Sequence, residues 1–337
     1  MSCGGEKNNL FWPRACQFFG IFLPSPFLKL PAVCLLLSIC VSASASVFDQ
    51  TLDLFNKAEA EGKATWLLNI DNDSFFLNRD DKFYTSGIQI ARQYQLRDAA
   101  QSTTMGWRFG QQLYTASDIK LTPAQVGPPD HPYAGWLYFG VYKDTHHGNG
   151  TYLRLGLDLG CLGPCAGGWW MQSTLHHILN QPLPQAWSTQ MRNEIGAVLY
   201  AEVAPTRWLL GHSMDVTPVL HGRFGNIFSD AGGGVTLRVG RLNTLPNDPA
   251  WYGFVRADER LVAYNATLQG GYFSSNNQYT VAPKRLVGEA EIGLVWNDAP
   301  YGFNASIIRR GNEIRDLRNE LGMQTFMRLQ FSYTPQE

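Results

Sequence analysis

Three short clusters carry the residue types from which a hydrolytic site can be built. The first is Asn69-Ile70-Asp71-Asn72-Asp73-Ser74-Phe75, followed by Phe83-Tyr84-Thr85-Ser86-Gly87. Its carboxylate and amide oxygens suit a hard cation such as Ca²⁺, although Asp and Asn in this setting also open Asx-type turns. The second is Asp130-His131-Pro132-Tyr133-Ala134-Gly135-Trp136, which reads by itself as a proline-initiated turn with an interfacial aromatic pair, Tyr133 and Trp136. The third lies in a stretch from Leu159 to Met191 that has no Asp, Glu, Lys or Arg. Within it residues 168–180 read as a helix, stopped by Pro182 and Pro184. Gln172 and His176 share one face of that helix, beside an apolar stripe of Met171, Leu175 and Ile178. A lone histidine is usually structural. One in an amphipathic, charge-free helix that meets an Asp/Asn/Thr cluster across a barrel mouth can serve as a general base. His177 lies about 100° round the helix and falls on the surface. A serine nucleophile is the competing chemistry: no G-x-S-x-G occurs, but a Ser–His pair from distant strands stays open.

The elements that must position these residues are strands. In Leu153-Arg154-Leu155-Gly156-Leu157-Asp158-Leu159-Gly160 every odd residue is leucine and every even one is polar or glycine. Met327-Arg328-Leu329-Gln330-Phe331-Ser332-Tyr333 repeats the pattern, as do residues 290–294 and 235–239. In a soluble sandwich the apolar face would meet a core. In an outer-membrane barrel it meets lipid, while the other face lines a polar lumen.

About twelve such runs occur, near 64–72, 84–96, 104–114, 134–144, 151–160, 194–204, 206–224, 232–242, 251–264, 285–297, 301–311 and 324–333. An even number suits a barrel with both termini in the periplasm. Connections after even-numbered strands are short and those after odd-numbered strands mostly long, except after the seventh; long loops belong outside the cell. By parity Asp73 falls with Asn69 and Asp71, and Thr85 with Gln89 and Gln93, so both are expected to face inward.

Composition agrees with an all-β transmembrane antiparallel barrel. The 337 residues are 45% apolar, 13% aromatic and only 16% charged, with 33 glycines. A mean hydropathy of −0.19 excludes a bundle of membrane-spanning helices, and the charge-poor, apolar-rich composition excludes disorder. A net charge of −1 argues against a nucleic-acid surface, which needs a concentrated basic excess. Residues 1–46 carry Lys7, Arg14 and Lys29 against Glu6, then an apolar run from Pro31 to Val41 and the small-residue site Ala43-Ser44-Ala45. They read as a secretory signal, leaving 47–337 as the barrel. That would remove four of the six cysteines and leave Cys161 and Cys165, for which a loop disulfide suits an oxidising compartment.

The residues resemble a known family, the outer-membrane lipid A 3′-O-deacylases. The pieces that carry the resemblance are Asn72-Asp73, Tyr84-Thr85-Ser86-Gly87, Asp130-His131-Pro132-Tyr133-Ala134-Gly135 and Gly163-Pro164-Cys165-Ala166-Gly167 with Gln172 and His176. Ala186-Trp187, Gln190, Gly225-Asn226, Gly240 and Tyr264-Asn265-Ala266 follow in order, so the resemblance spans about 65–333. It implies a twelve-stranded barrel with its site between the wall and a helix of an extracellular loop. It also implies calcium-dependent removal of an ester-linked 3′ acyloxyacyl chain from lipid A, the lipid anchor of lipopolysaccharide. His176 would activate water with Gln172 beside it, and Asn72, Asp73 and Thr85 would organise the calcium and oxyanion region. His131 and Tyr133 would contact substrate. The family often has Arg at the position of His131, and a carboxylate that some members carry a few residues after the histidine is missing near Pro182. The competing readings are an outer-membrane phospholipase with a Ser–His pair and a non-enzymatic pore or adhesin.

Overall fold

The computed structural model describes residues 49–73, 81–243 and 245–335. The expected secretory signal, and Ser74 and Phe75 of the first cluster, lie outside them. The chain divides into two compact units, 1–52 and 53–337. Of the first, residues 49–52 are described and are helical.

The second unit is a closed antiparallel barrel. It opens with helix α1 (53–61), followed by β1 (Lys63–Asn72), β2 (Phe83–Arg97), β3 (Gln101–Thr115), β4 (Ala134–His147), β5 (Tyr152–Leu162) and β6 (Glu194–Ala204). The wall continues through β7 (Met214–Gly225), β8 (Phe228–Arg241), β9 (Ala250–Asn265), β10 (Leu286–Asp298), β11 (Tyr301–Arg310) and β12 (Gln324–Tyr333). Each strand pairs with the next, and β1 pairs with β12 from Trp66↔Tyr333 to Asn72↔Met327, which leaves no free edge. The expected seventh strand, 206–224, begins later than its pattern suggests. Trp208–Leu209 form a two-residue strand folded back on β7, and the wall resumes at Met214. The connection after β7 is only Asn226–Ile227, the exception to the long/short rule that the sequence predicts.

The two faces of the wall follow the alternation. Arg108 on β3 holds Asp158 on β5 at 2.6 Å, Arg154 holds Asp144 at 2.7 Å and Arg328 holds Asp71 at 2.9 Å, all inside the barrel. Arg108, Asp158, Arg154, Arg328 and Asp71 line a cavity of 490 Å³. The residues between them in sequence, such as Phe109, Phe139, Leu155 and Leu159, are exposed on the outside. Burying so many charges is possible because each arginine forks onto a carboxylate.

Segments cover both ends of the lumen. At the short-turn end, Gln95 of β2 donates to the Pro246 carbonyl (3.0 Å) and accepts from Asn247 (2.9 Å), drawing the connection after β8 across the barrel. At the long-loop end, Phe83 at the start of β2, Leu268 and Val281 from the connection after β9, and Ile314 from the connection after β11 form a cluster. Helix α1 lies on the outer face, where Leu54, Phe55 and Ala58 cover Tyr94 and Met105.

Candidate active site

Cys161 near the end of β5 is bonded to Cys165 of the following loop, which then turns at Gly167 in the left-handed conformation (φ 67°), where glycine carries no steric cost. Helix α2 (Gly168–Ile178) follows, and Asn180 (φ 53°) ends the segment two residues short of Pro182. The helix thus stops at Ile178 rather than continuing to Asn180.

Its position differs from the one expected, in which it reaches over the barrel mouth. It lies on the outer face of the wall. Gln111 of β3 donates to the Ala166 carbonyl at 2.6 Å. A Cβ on Gly168 would stand 3.0 Å from Leu113 and 2.5 Å from the Trp187 ring, and one on Gly135 would stand 3.0 Å from Ala166. Gln111, Leu113 and Gly135 share the outward parity of Phe109, so small residues at 135 and 168 let the helix backbone approach the wall closely.

One face of α2 is buried by this contact. Gln172 is 2% exposed and His176 5%, whereas His177 is exposed, as the helical spacing predicts. Trp187, from the return segment of the same loop, donates its indole N–H to Gln172 Oε1 at 2.8 Å. Gln172 Nε2 then donates to Asp81 Oδ2 at 3.2 Å, and His176 Nε2 lies 2.9 Å from the same oxygen. The other ring nitrogen, Nδ1, donates to the Pro182 carbonyl at 2.7 Å. Carbonyl and carboxylate oxygens only accept, so this geometry favours a ring protonated on both nitrogens. Burial works against that charge, but the Asp81 carboxylate and the Pro182 carbonyl outweigh it and raise the pKa above the ordinary histidine value.

The first cluster meets this chain of bonds at the neck between β1 and β2. Asp73 Oδ2 accepts from the Lys82 amide at 2.8 Å, next to Asp81, and the Asp73 amide faces the Thr85 carbonyl at 3.3 Å. Asn72 pairs in register with Ser86. Asp73 and Thr85 are both buried. The expectation that Thr85 faces the lumen needs correction. A β-bulge between Tyr84 and Ser86 breaks the alternation. Tyr84 takes the lumen side, donating to Asp71 at 2.9 Å, while Thr85 Oγ1 meets Thr115 Oγ1 at 2.6 Å, on the outward parity of Leu113.

His131 and Tyr133 are both buried. His131 stacks on Tyr114 with ring centroids 5.5 Å apart, bonds its own Pro132 carbonyl, and burial lowers its pKa. Tyr133 packs edge-on against Trp187 beneath the loops. Tyr133 and Trp136 are therefore not an interfacial pair, since Trp136 turns into the barrel and stacks on Tyr138. Asp81 and Trp187 are partners of the helix that no sequence periodicity marks. The available signal was charge: a buried histidine in a charge-free loop needs a carboxylate from elsewhere, and Asp80-Asp81 is the acid pair nearest to Thr85.

Among the described residues no serine hydroxyl is hydrogen-bonded to a histidine, and no three His, Cys, Asp or Glu side chains converge as a metal cluster. The donors at Asn72, Asp73 and Thr85 are all oxygens: an amide, a carboxylate and a hydroxyl beside backbone carbonyls. That chemistry fits Ca²⁺, which completes its shell with carbonyls and water.

A closed twelve-stranded wall with a lipid-facing exterior and a polar lumen defines a β-barrel of the outer membrane, here with a buried polar site under a loop helix. The chain belongs to the LpxR family: the model described as outer membrane protein LpxR matches residues 32–334. It is an outer-membrane protein. Among solved structures it is similar to LpxR from Salmonella typhimurium, with a TM-score of 0.68 and 21% identity over 80% of this chain and 100% of that one. The β domain of the Bordetella autotransporter BrkA is more distant, with a TM-score of 0.44 and 12% identity over 81% of this chain and 98% of that one. No curated protein sequence matches.

Proposed function

We propose that this protein is a lipid A 3′-O-deacylase that hydrolyses the ester-linked 3′ acyloxyacyl chain with His176 as general base. The observation that carries the reading is the buried pair His176 and Gln172, held under α2 against the Asn72–Thr85 neck. Family membership and the outward position of the site support it, because an ester in the outer leaflet reaches an outer-wall site without leaving the membrane.

The chain's own residues divide the work. Pro182 fixes the ring through Nδ1, so Nε2 is the nitrogen that takes a proton from the attacking water. Asp81 holds that same nitrogen here, and the water must take its place. Gln172, itself anchored by Trp187, keeps Asp81 from turning away freely. Asn72, Asp73 and Thr85 would hold a calcium ion, which when bound supplies positive charge for the oxyanion that develops on the carbonyl oxygen.

The test is mass spectrometry of lipid A from cells expressing the wild type or His176→Ala. The reading expects loss of one 3′ acyloxyacyl group with the wild type only. Unchanged lipid A in both, with folded protein in the outer membrane, would refute it.

A further inference from the structure

Away from the buried line of Gln172 and His176, helix α2 exposes large apolar side chains. Trp169, Trp170, Leu175, Ile178 and Leu179, with Leu183 just beyond, are between 41% and 72% exposed, and the polar Thr174 and His177 are exposed among them. A water-facing protein surface normally carries charged side chains at about a quarter of its positions or more. None occurs from Leu159 to Met191. An apolar surface of this kind calls for a partner without charge of its own.

The position of the helix identifies that partner. Because α2 rests on the outer wall over Leu113 and Gly135, its free face continues the surface formed by Phe109, Phe139, Leu159 and Ile195. In an outer-membrane barrel that surface is bounded by lipid. Two adjacent tryptophans open the helix, and indole rings favour the headgroup boundary. An amphipathic helix with a bulky apolar face lies in the plane of that boundary.

We infer that α2 is an interfacial helix seated in the outer leaflet, with Trp170 and Ile178 toward the acyl chains and His176 turned to the wall. The inference rests on the outer-membrane placement and is independent of the deacylase reading. A catalytically silent protein would show the same seating.

The experiment uses the full-length barrel reconstituted in phosphatidylethanolamine–phosphatidylglycerol vesicles. A nitroxide is attached to Ile178→Cys or, separately, Trp170→Cys, in protein with Cys3, Cys16, Cys34 and Cys40 replaced by serine; Cys161 and Cys165 are bonded to each other and do not compete for the label. Accessibility to oxygen, which partitions into lipid, is compared with that to a water-soluble nickel chelate. Phe139→Cys on the wall and Asn149→Cys in an exposed turn supply the lipid and water references. Position 178 should favour oxygen, as position 139 does. A preference for nickel at both 170 and 178, in protein that retains heat modifiability, overturns the inference. So does spin–spin broadening at 178 that disappears on dilution with unlabelled protein, because a second copy would then be the occupant.

Discussion

His176 Nε2 lies 2.9 Å from Asp81 Oδ2, with both side chains buried between the barrel wall and the loop helix. The pair joins residues 95 positions apart and favours a charged imidazole where the proposed reaction needs a neutral one. It therefore sets both the geometry and the pH dependence of the site.

The pH dependence has a definite sign. Hydrolysis needs neutral His176, and Asp81 favours the protonated form, so the acid limb of the rate profile should lie above the ordinary imidazole value of about 6.5. Asp81→Asn removes the carboxylate and should move that limb to lower pH. A pH–rate profile of lipid A deacylation checks this; an unmoved limb would separate Asp81 from the base.

Removing the base should cost rate but not fold. His176→Ala should slow deacylation by about 10²–10⁴-fold, the usual contribution of a general base. His177→Ala should be close to neutral, because that side chain is exposed on the other side of the helix. Retained activity in the first variant and loss in the second would mean that the helix register has been assigned to the wrong histidine.

Asp73→Ala should behave differently from His176→Ala. If its carboxylate holds calcium, the variant needs more of the ion, and excess Ca²⁺ should restore part of the rate. Titration of activity against free Ca²⁺ distinguishes the two. A rate that stays low at every concentration assigns Asp73 another role.

Replacing Cys161 and Cys165 with serine should leave turnover within a few-fold. Their bond closes a loop of only four steps along the chain, so it constrains the unfolded state little. The hydrogen bond from Gln111 to Ala166 and the contact at Gly168 still seat the helix. Complete loss of activity in folded double-serine protein would contradict this.

The barrel should not conduct. Arginine–carboxylate pairs line the lumen wall, and the connection after β8 crosses the short-turn end to reach Gln95 of β2. Planar-bilayer recordings should stay quiet, and stable open-channel conductance would favour the pore reading.

Much of the wall was legible in the residues themselves. A strand turns successive side chains to opposite faces, so the leucines of 153–159 and the polar residues between them declare a two-faced strand wherever it ends up. The same local rule places Gln172 with His176 and away from His177, because helical spacing depends only on nearby residues. Strand count, the order of long and short connections and the helix in the loop after β5 follow from such local periodicity.

What local periodicity does not encode was decided by the tertiary structure. The bulge at Thr85 adds one residue to one strand, which reverses the parity argument from that point on. The side of the wall on which α2 rests depends on close approach at Gly135 and Gly168, whose need to be small strand and helix periodicity does not reveal. The Asp81–His176 bond joins distant segments with no repeating spacing between them. It arises because a buried imidazole and a buried carboxylate, each costly alone, lower that cost by meeting, and only the closed barrel brings them within reach.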